Sequence, residues 1–182
     1  MRDSAGGNPR EFASHLSRFA LVAFAPGGKH LLSAADFNSD TLALSALATG
    51  EPVRFYWGQD DAFTSIAFSP DGKLLAAGSQ AGVVRVWTLG GRLVHVLQGH
   101  KGPVWSLAFS TDGKTLVTGS GDGTARLWEL VTGSERARLT GHRGGVFAVA
   151  FAPDGNTLAT GGLDGRALLW KLSEVGRPAG TP

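Results

Sequence analysis

The stretch FSTDGKTLVTGSGDGTARLW, residues 109–128, holds the pattern that decides the fold of this chain. It begins at a phenylalanine before a tight turn, passes through a short β-branched run and a glycine turn, and ends at a tryptophan. The opening phrase occurs at Phe24, Phe68, Phe109 and Phe151, at intervals of 44, 41 and 42 residues. A phrase that returns at such a period is the sequence signature of a repeat protein.

A tryptophan marks a second fixed point in three of the repeats. Trp87, Trp128 and Trp170 each stand nineteen residues after the phenylalanine of their repeat. The apolar and β-branched runs between these points, with glycine turns after them, predict short antiparallel strands. Pro-Asp-Gly at 70–72 and 153–155 suits a tight turn, because proline presets φ and glycine tolerates positive φ. Each repeat therefore predicts four strands.

The composition agrees with an all-β domain. The 182 residues include 27 glycines, with 42% hydrophobic and 18% charged residues, which favours short strands and tight turns over helices or disorder. The absence of cysteine excludes disulfides and thiolate metal sites. A net charge of +2 with scattered basic residues argues against nucleic acid as a partner. No apolar run has the length of a membrane span, so we expect a cytoplasmic protein that binds no membrane.

These repeats resemble the WD-repeat β-propeller family, in which each repeat of about 40 to 45 residues forms a four-stranded antiparallel blade. The resemblance covers about residues 9 to 172 and includes the Gly-His pairs Gly99-His100 and Gly141-His142. No repeat keeps an aspartate after its tryptophan. The four blades that the resemblance implies are approximately residues 15–57, 58–98, 99–140 and 141–172.

The two ends of the repeat region predict how the array closes. Leu97, at the end of an outer strand, stands three residues before His100, and Phe12 stands three residues before His15. Residues 9–13, PREFA, are therefore predicted to form an outer strand that precedes the first blade. The last repeat stops after its third strand, so we expect 9–13 to complete the last blade and remove two exposed edges. We expect disorder over residues 1–8 and a flexible tail over 173–182.

In the family that the repeats resemble, a histidine, a serine or threonine, an aspartate and the tryptophan of one blade form a hydrogen-bonded tetrad. The resemblance implies two complete tetrads, namely His100, Thr118, Asp122 and Trp128, and His142, Thr160, Asp164 and Trp170. We interpret both as structural, because an active site is needed once in one cleft and this set recurs in the next repeat. The histidines fall on different blades, so we predict neither a metal site nor a cofactor.

The first two repeats depart from the tetrad pattern. In the second repeat, the positions other than Trp87 hold Gln59, Ala77 and Ala81, which predicts that this blade depends on packing alone. In the first repeat, Ser45 replaces the tryptophan.

The expected function is a non-enzymatic scaffold that binds a protein or peptide on the face of the propeller. Trp105 and Phe147 stand just inside the inner strands, near the face that contacts partners in the family, and aromatic anchors suit a binding hot spot. Ordinary packing between blades is the alternative for both rings. Lys101 and Arg143 each follow a tetrad histidine and are expected to add a polar rim, with solvated surface charge as the alternative.

Two other functions stay open from the sequence. One is a propeller-based hydrolase or lyase with a central acidic site, for which His15, Asp36 and Asp40 of the first repeat are the candidate residues. The other is a regulatory repeat segment of a larger protein.

Four blades are few for the family that the repeats resemble. Three arrangements fit this number: two chains joined into one eight-bladed ring, a piece of a longer propeller, or a strained or open four-bladed array. An open array leaves an apolar blade face in water, which favours assembly. We therefore expect a homodimer that completes an eight-bladed ring.

Overall fold

The computed structural model describes residues 19–35, 40–58 and 61–175. Within these ranges the chain forms fifteen strands and no helix, arranged in four antiparallel sheets. The all-β, blade-like fold predicted from the repeats is confirmed. Because these ranges contain no helix, none of their segments could cross a membrane as an apolar helix.

The strands follow one another along the chain in four groups, which we call blades 1 to 4. Blade 1 holds β1 (Phe19–Phe24), β2 (His30–Ala35), β3 (Thr41–Ala46) and β4 (Pro52–Trp57). Blade 2 holds β5 (Phe63–Phe68), β6 (Leu74–Ser79), β7 (Val84–Thr88) and β8 (Leu93–Leu97). Blade 3 holds β9 (Val104–Phe109), β10 (Thr115–Ser120), β11 (Thr124–Glu129) and β12 (Ser134–Thr140). Blade 4 holds β13 (Val146–Phe151), β14 (Thr157–Gly162) and β15 (Ala167–Lys171).

The turn between the first two strands of a blade explains the recurring phrase of the repeat. In blade 3, the Asp112 carboxylate accepts the Ser110 hydroxyl at 2.6 Å and the Lys114 backbone N–H at 3.0 Å. These two hydrogen bonds hold the pKa of Asp112 below its ordinary value. Gly113 has φ +68°, a conformation that glycine adopts without steric strain. The chain therefore reverses over a few residues and returns as β10.

Within the described residues, blades 2 and 3 pack through both of their faces, and blades 1 and 4 pack through one. We call the face that packs on the next blade along the chain the forward face, and the opposite one the rear face. At the joint between blades 3 and 4, the forward face contributes Ala108, Val117, Gly119, Ala125 and Leu127, and the rear face contributes Val146, Val149, Phe151, Leu158 and Trp170. Equivalent apolar clusters join blade 1 to blade 2 and blade 2 to blade 3.

A glycine in the second strand allows two neighbouring blades to approach closely. A Cβ atom at Gly78 would lie 2.5 Å from Val104 Cγ1, and one at Gly119 would lie 2.8 Å from Val146 Cγ1. Both distances are shorter than van der Waals contact between carbon atoms. Only glycine therefore fits at these two places without moving the next blade.

The four blades form an open array in the part of the chain that the structure describes. The inner strand β1 packs against β5, β5 against β9, and β9 against β13, whereas no described strand of blade 1 packs in this way against blade 4. Blade 4 has three described strands, and β15 is its edge. The predicted closing strand 9–13 and the expected disordered segment 1–8 lie outside the described residues, as do residues 176–182 of the expected tail.

Candidate functional site

The four predicted tetrad residues of blade 3 come together in the structure. His100, in the loop before β9, places Nδ1 2.9 Å from Asp122 Oδ2 and Nε2 2.7 Å from Thr118 Oγ1. The Trp128 indole N–H donates to the same Thr118 oxygen at 2.9 Å. Asp122 also accepts the Lys101 backbone N–H at 2.9 Å. The tetrad thus fastens the loop before the blade to its second and third strands.

The hydrogen bonds of this tetrad run in one direction. A carboxylate only accepts, so His100 donates from Nδ1 to Asp122, and its Nε2 accepts the Thr118 hydroxyl proton. The Thr118 oxygen accepts in turn from Trp128. Both imidazole nitrogens are therefore occupied inside the blade, and the His100 ring and the Thr118 hydroxyl are buried, so the structure gives a substrate no access to either group.

The electrostatics of the tetrad keep the histidine neutral and the aspartate charged. Burial lowers the pKa of His100, against the opposite influence of Asp122. Burial alone would raise the pKa of Asp122, but hydrogen bonds from Thr124, the Lys101 N–H and His100 hold it well below its ordinary value. At neutral pH the neutral His100 imidazole therefore donates to the charged Asp122 carboxylate, as the direction of the hydrogen bonds requires.

These pKa shifts predict that the protein loses stability in two acidic ranges. The folded-state pKa of His100 lies below that of the unfolded chain, about 6.5. The unfolded chain therefore takes up the proton first, and stability falls as the pH drops below about 6.5. Asp122 adds a second loss below about pH 3.9, where the unfolded carboxyl is protonated before the folded one.

Thermal melts between pH 8 and pH 3 test this prediction. In His100→Gln, the melting temperature should be lower throughout, and its decline between pH 7 and pH 5 should be shallower than in the unmodified chain. A melting temperature of the unmodified chain that does not change between pH 7 and pH 5 would contradict the role given to His100.

Blade 4 contains the second predicted tetrad with the same bonds. His142 places Nδ1 2.9 Å from Asp164 Oδ1 and Nε2 2.8 Å from Thr160 Oγ1. The Trp170 indole N–H donates to Thr160 at 3.0 Å. Hydrogen bonds from the Arg143 backbone N–H and from His142 lower the pKa of Asp164 to about 2. The same chemistry thus appears in two successive blades.

Blade 2 lacks the tetrad, yet the prediction that it depends on packing alone is wrong. Asp61, in the loop before β5, accepts the Ala81 backbone N–H at 3.0 Å and lies 3.6 Å from Arg85 Nη1. In blade 3 the carboxylate of Asp122 lies after the second strand and accepts the Lys101 N–H of the preceding loop. In blade 2 the carboxylate comes from the preceding loop and the backbone N–H from the turn after the second strand, which is the reverse of the arrangement in blade 3.

Aromatic packing also secures the joint between blades 1 and 2. The Trp87 ring centroid lies 5.7 Å from that of Tyr56 and 6.0 Å from that of Phe63. The Tyr56 hydroxyl donates to the Leu89 carbonyl at 2.8 Å. Burial raises the pKa of Tyr56 to about 12, so this hydroxyl keeps its proton at neutral pH.

Trp105 and Phe147, predicted to contact a partner, stack on each other across the joint between blades 3 and 4. Their ring centroids lie 5.6 Å apart, with 14° between the ring planes. Phe147 is 48% exposed and Trp105 is half-buried. We call these two side chains the aromatic pair. The rings are neither wholly internal nor wholly solvated, because each covers one face of the other.

A groove adjoins the aromatic pair through Gly121, which lines the groove and lies close to Trp105, while the two rings themselves are not part of its lining. A Cβ at Gly121 would lie 3.1 Å from Trp105 Nε1, and one at Gly145 would lie 3.1 Å from Phe147 Cε2. The adjoining cavity has a volume of about 390 Å³ and is lined by Gly121, Asp122, Gly123, Thr124, Thr140, His142, Arg143 and Gly144. Lys101 and Arg143 are exposed, and neither forms a salt bridge with another described residue.

The residues considered for an acidic active site do not assemble in the described part of the chain. Asp40 accepts the Thr41 hydroxyl at 3.0 Å, while His15 and Asp36 lie outside the described ranges. Ser33 donates to the Ala43 carbonyl at 3.4 Å. Within the described residues, no group of three or more histidine, aspartate or glutamate side chains is placed to hold a metal ion.

Four antiparallel meanders, packed inner strand to inner strand, define a repeat protein of the propeller type. The family model for the WD domain, G-beta repeat, matches residues 50–88, 91–129 and 133–171. The chain therefore belongs to the WD40 repeat family, as the sequence resemblance predicted. The family model marks three repeats, and blade 1 is the part of the structure that lies largely before them.

Individual relatives match a short part of the chain. Over 41 residues it is 46% identical to the WD40 repeat-containing protein HOS15 of Arabidopsis thaliana. Over 41 residues it is 49% identical to the F-box-like/WD repeat-containing proteins TBL1Y of Homo sapiens and TBL1X of Mus musculus. Each match covers 22% of this chain and 7% or 8% of the relative.

Proposed function

We propose that this chain is a non-enzymatic scaffold that binds an acidic peptide segment of another protein across the loops of blades 3 and 4. The observation that carries this proposal is the half-exposed aromatic pair beside an open groove. Aromatic side chains are enriched among the residues that dominate binding energy, because they bury a large area and lose little conformational freedom.

The charges around the groove support an acidic partner. The carboxylates of Asp122 and Asp164 accept hydrogen bonds from the tetrad histidines and from the backbone N–H groups of the residues after those histidines, Lys101 and Arg143. Both carboxylates stay ionised but are largely buried, so the exposed Lys101 and Arg143 side chains are the charged groups that a partner meets at the rim. A basic rim next to an apolar platform attracts a segment in which carboxylates flank an apolar side chain.

The state of the histidines favours binding over catalysis. In each tetrad, both imidazole nitrogens already have a partner within 2.9 Å. A general base must reach a substrate proton, and the two histidines and the threonine hydroxyls that they contact are all buried. The hydrolase or lyase alternative therefore lacks a supporting observation in the described residues.

A library of short random peptides displayed on phage tests the proposal without knowledge of the natural partner. We expect enrichment of peptides with acidic residues beside an aromatic or aliphatic residue. For a selected peptide, Phe147→Ala should weaken binding by about tenfold or more, because a stacked anchor is lost. Lys101→Glu should weaken it less, and most clearly at low salt. Fluorescence anisotropy with a labelled peptide measures both changes.

Val131→Ala is the control for this experiment. Val131 is 78% exposed in the turn after β11, at the opposite end of that strand from the groove. The Val131→Ala substitution should leave the affinity for the selected peptide unchanged. If no acidic peptide is enriched, or if Phe147→Ala binds as well as the unmodified chain, the proposed function is wrong.

A further inference from the structure

The open array leaves one apolar face uncovered at each end. The rear face of blade 1 presents Val22, Phe24, Val53, Phe55 and Trp57, of which Phe24 is 68% exposed. The forward face of blade 4 presents Ala148, Ala150, Ala159, Gly161 and Leu169, of which Leu169 is 75% exposed. Exposed apolar patches of this kind mark interaction surfaces.

The forward face of blade 4 has the same residue types as the faces that are covered elsewhere in the molecule. Gly161 occupies the position that Gly78 and Gly119 occupy in blades 2 and 3. At Gly78 and Gly119, a Cβ would collide with a valine of the next inner strand, at 2.5 and 2.8 Å. At Gly161, the nearest atom is Ala148 Cβ at 3.5 Å. The opening for another inner strand is therefore present and unfilled.

The rear face of blade 1 is the matching half of such a joint. Phe24 ends the inner strand of its blade, as Phe109 and Phe151 do in blades 3 and 4. Phe109 and Phe151 pack in the joint with the preceding blade, whereas Phe24 has no preceding blade among the described residues. The two uncovered faces are thus a forward half and a rear half of the joint that the chain already makes three times.

We infer that the forward face of blade 4 docks on the rear face of blade 1 of a second copy of this chain, and that two such joints close a ring of eight blades. Two different faces meet at the joint, so the contact is of the head-to-tail kind, and two copies close it without a free end. Eight blades lie within the range of known propellers. This inference is independent of the proposed peptide site.

The edge of blade 4 gives the second copy one more place to bind. β4, β8 and β12 pair with the third strands of their blades, whereas β15 has no such partner among the described residues. A groove of about 350 Å³ runs beside β15 and is lined in part by Leu139, Leu169 and Val175. An outer strand supplied by the second copy would pair with β15 and remove this exposed edge.

Light scattering coupled to size-exclusion chromatography tests the inference on the 182-residue chain. We expect one species of about twice 18.9 kDa at micromolar concentration. Gly161→Val should give a folded monomer, because its side chain has space within the chain but fills the opening for the second copy. Phe24→Asp should also give a monomer. Val131→Asp, a charge at a turn away from both faces, should leave the mass unchanged, and circular dichroism verifies that each variant is folded.

Mixing the two monomeric variants tests the head-to-tail pairing. The Gly161→Val chain keeps an intact rear face and the Phe24→Asp chain keeps an intact forward face, so their mixture should recover a mass of two chains, with affinity below that of the unmodified pair. Two copies joined through like faces would not recover in this way. A monodisperse monomer of the unmodified chain, or a dimer that survives both substitutions, overturns the inference. Loss of peptide binding in Phe147→Ala without a change of mass concerns the proposed function alone.

Discussion

Trp128→Ala is expected to lower the free energy of unfolding by about 3 to 5 kcal/mol, the range for truncation of a buried tryptophan in a core. Trp128 is 2% exposed and belongs to the apolar cluster between blades 2 and 3. Its removal leaves a cavity there and deprives Thr118 of the indole N–H that donates at 2.9 Å. Urea unfolding followed by tryptophan fluorescence and circular dichroism measures the loss.

Trp128→Phe separates the packing of this side chain from its hydrogen bond. Phenylalanine fills much of the same space and has no N–H, so we expect a smaller loss, of which about 1 kcal/mol is the hydrogen bond. Trp87→Phe is the matched control, because Trp87 occupies the same repeat position in a blade without a tetrad. Equal losses in Trp128→Ala and Trp128→Phe would mean that packing contributes little at this position.

Asp122→Ala is expected to lower the free energy of unfolding by about 2 to 3 kcal/mol, since buried donors lose their acceptor. The carboxylate of Asp122 accepts from His100, from the Lys101 N–H, and from both the N–H and the hydroxyl of Thr124. Alanine offers none of these groups a partner. The melting temperature and the urea midpoint should both fall.

Asp71→Ala is the control, because Asp71 accepts comparable hydrogen bonds in an exposed turn. Water can replace the lost carboxylate there, so the change should be smaller than for Asp122→Ala. If Asp122→Ala keeps full stability and instead abolishes peptide binding, the tetrad is a binding element and its structural interpretation is wrong.

The repeat made most of the fold predictable from the sequence. The phenylalanine and the tryptophan stand nineteen residues apart because the phenylalanine ends the first strand of a blade and the tryptophan is the last residue but one of the third strand. The two tetrads were predicted through the family resemblance, which could be carried over because each side chain stands at a fixed distance from these markers. A contact that repeats with the period of the chain can be located in this way.

The fastening of blade 2 was missed because its contact does not repeat. Asp61 stands at the repeat position of Gly102, where no other blade has a carboxylate. Its bond to the Ala81 N–H depends on the course of one loop, which the spacing of fixed residues does not determine. The two adjacent aspartates before β5 were a visible signal, because an arginine that is buried on the third strand of the blade, Arg85 on β7, needs a negative partner.

The relation between Trp105 and Phe147 also needed the structure. Their equivalent positions in successive repeats predicted neighbouring inner strands, but that placement suits both buried rings and an exposed platform. The 14° angle between the ring planes and the 48% exposure of Phe147 distinguish the two. Exposure here depends on which loops cover the ring, and this is a property of the assembled blades.

The glycines at the joints determine how this molecule responds to a partner. At Gly78 and Gly119 the backbone of a second strand lies directly against branched side chains of the next inner strand, Val104 and Val146, with no Cβ between them. Such close packing resists relative movement of the blades, so we expect the loops of blades 3 and 4 to keep their separation before a ligand arrives. A segment that spans blades 3 and 4 meets a surface that is already arranged, so little ordering of the scaffold opposes association. Selection among partners then depends on whether their side chains have the same separation as the loops.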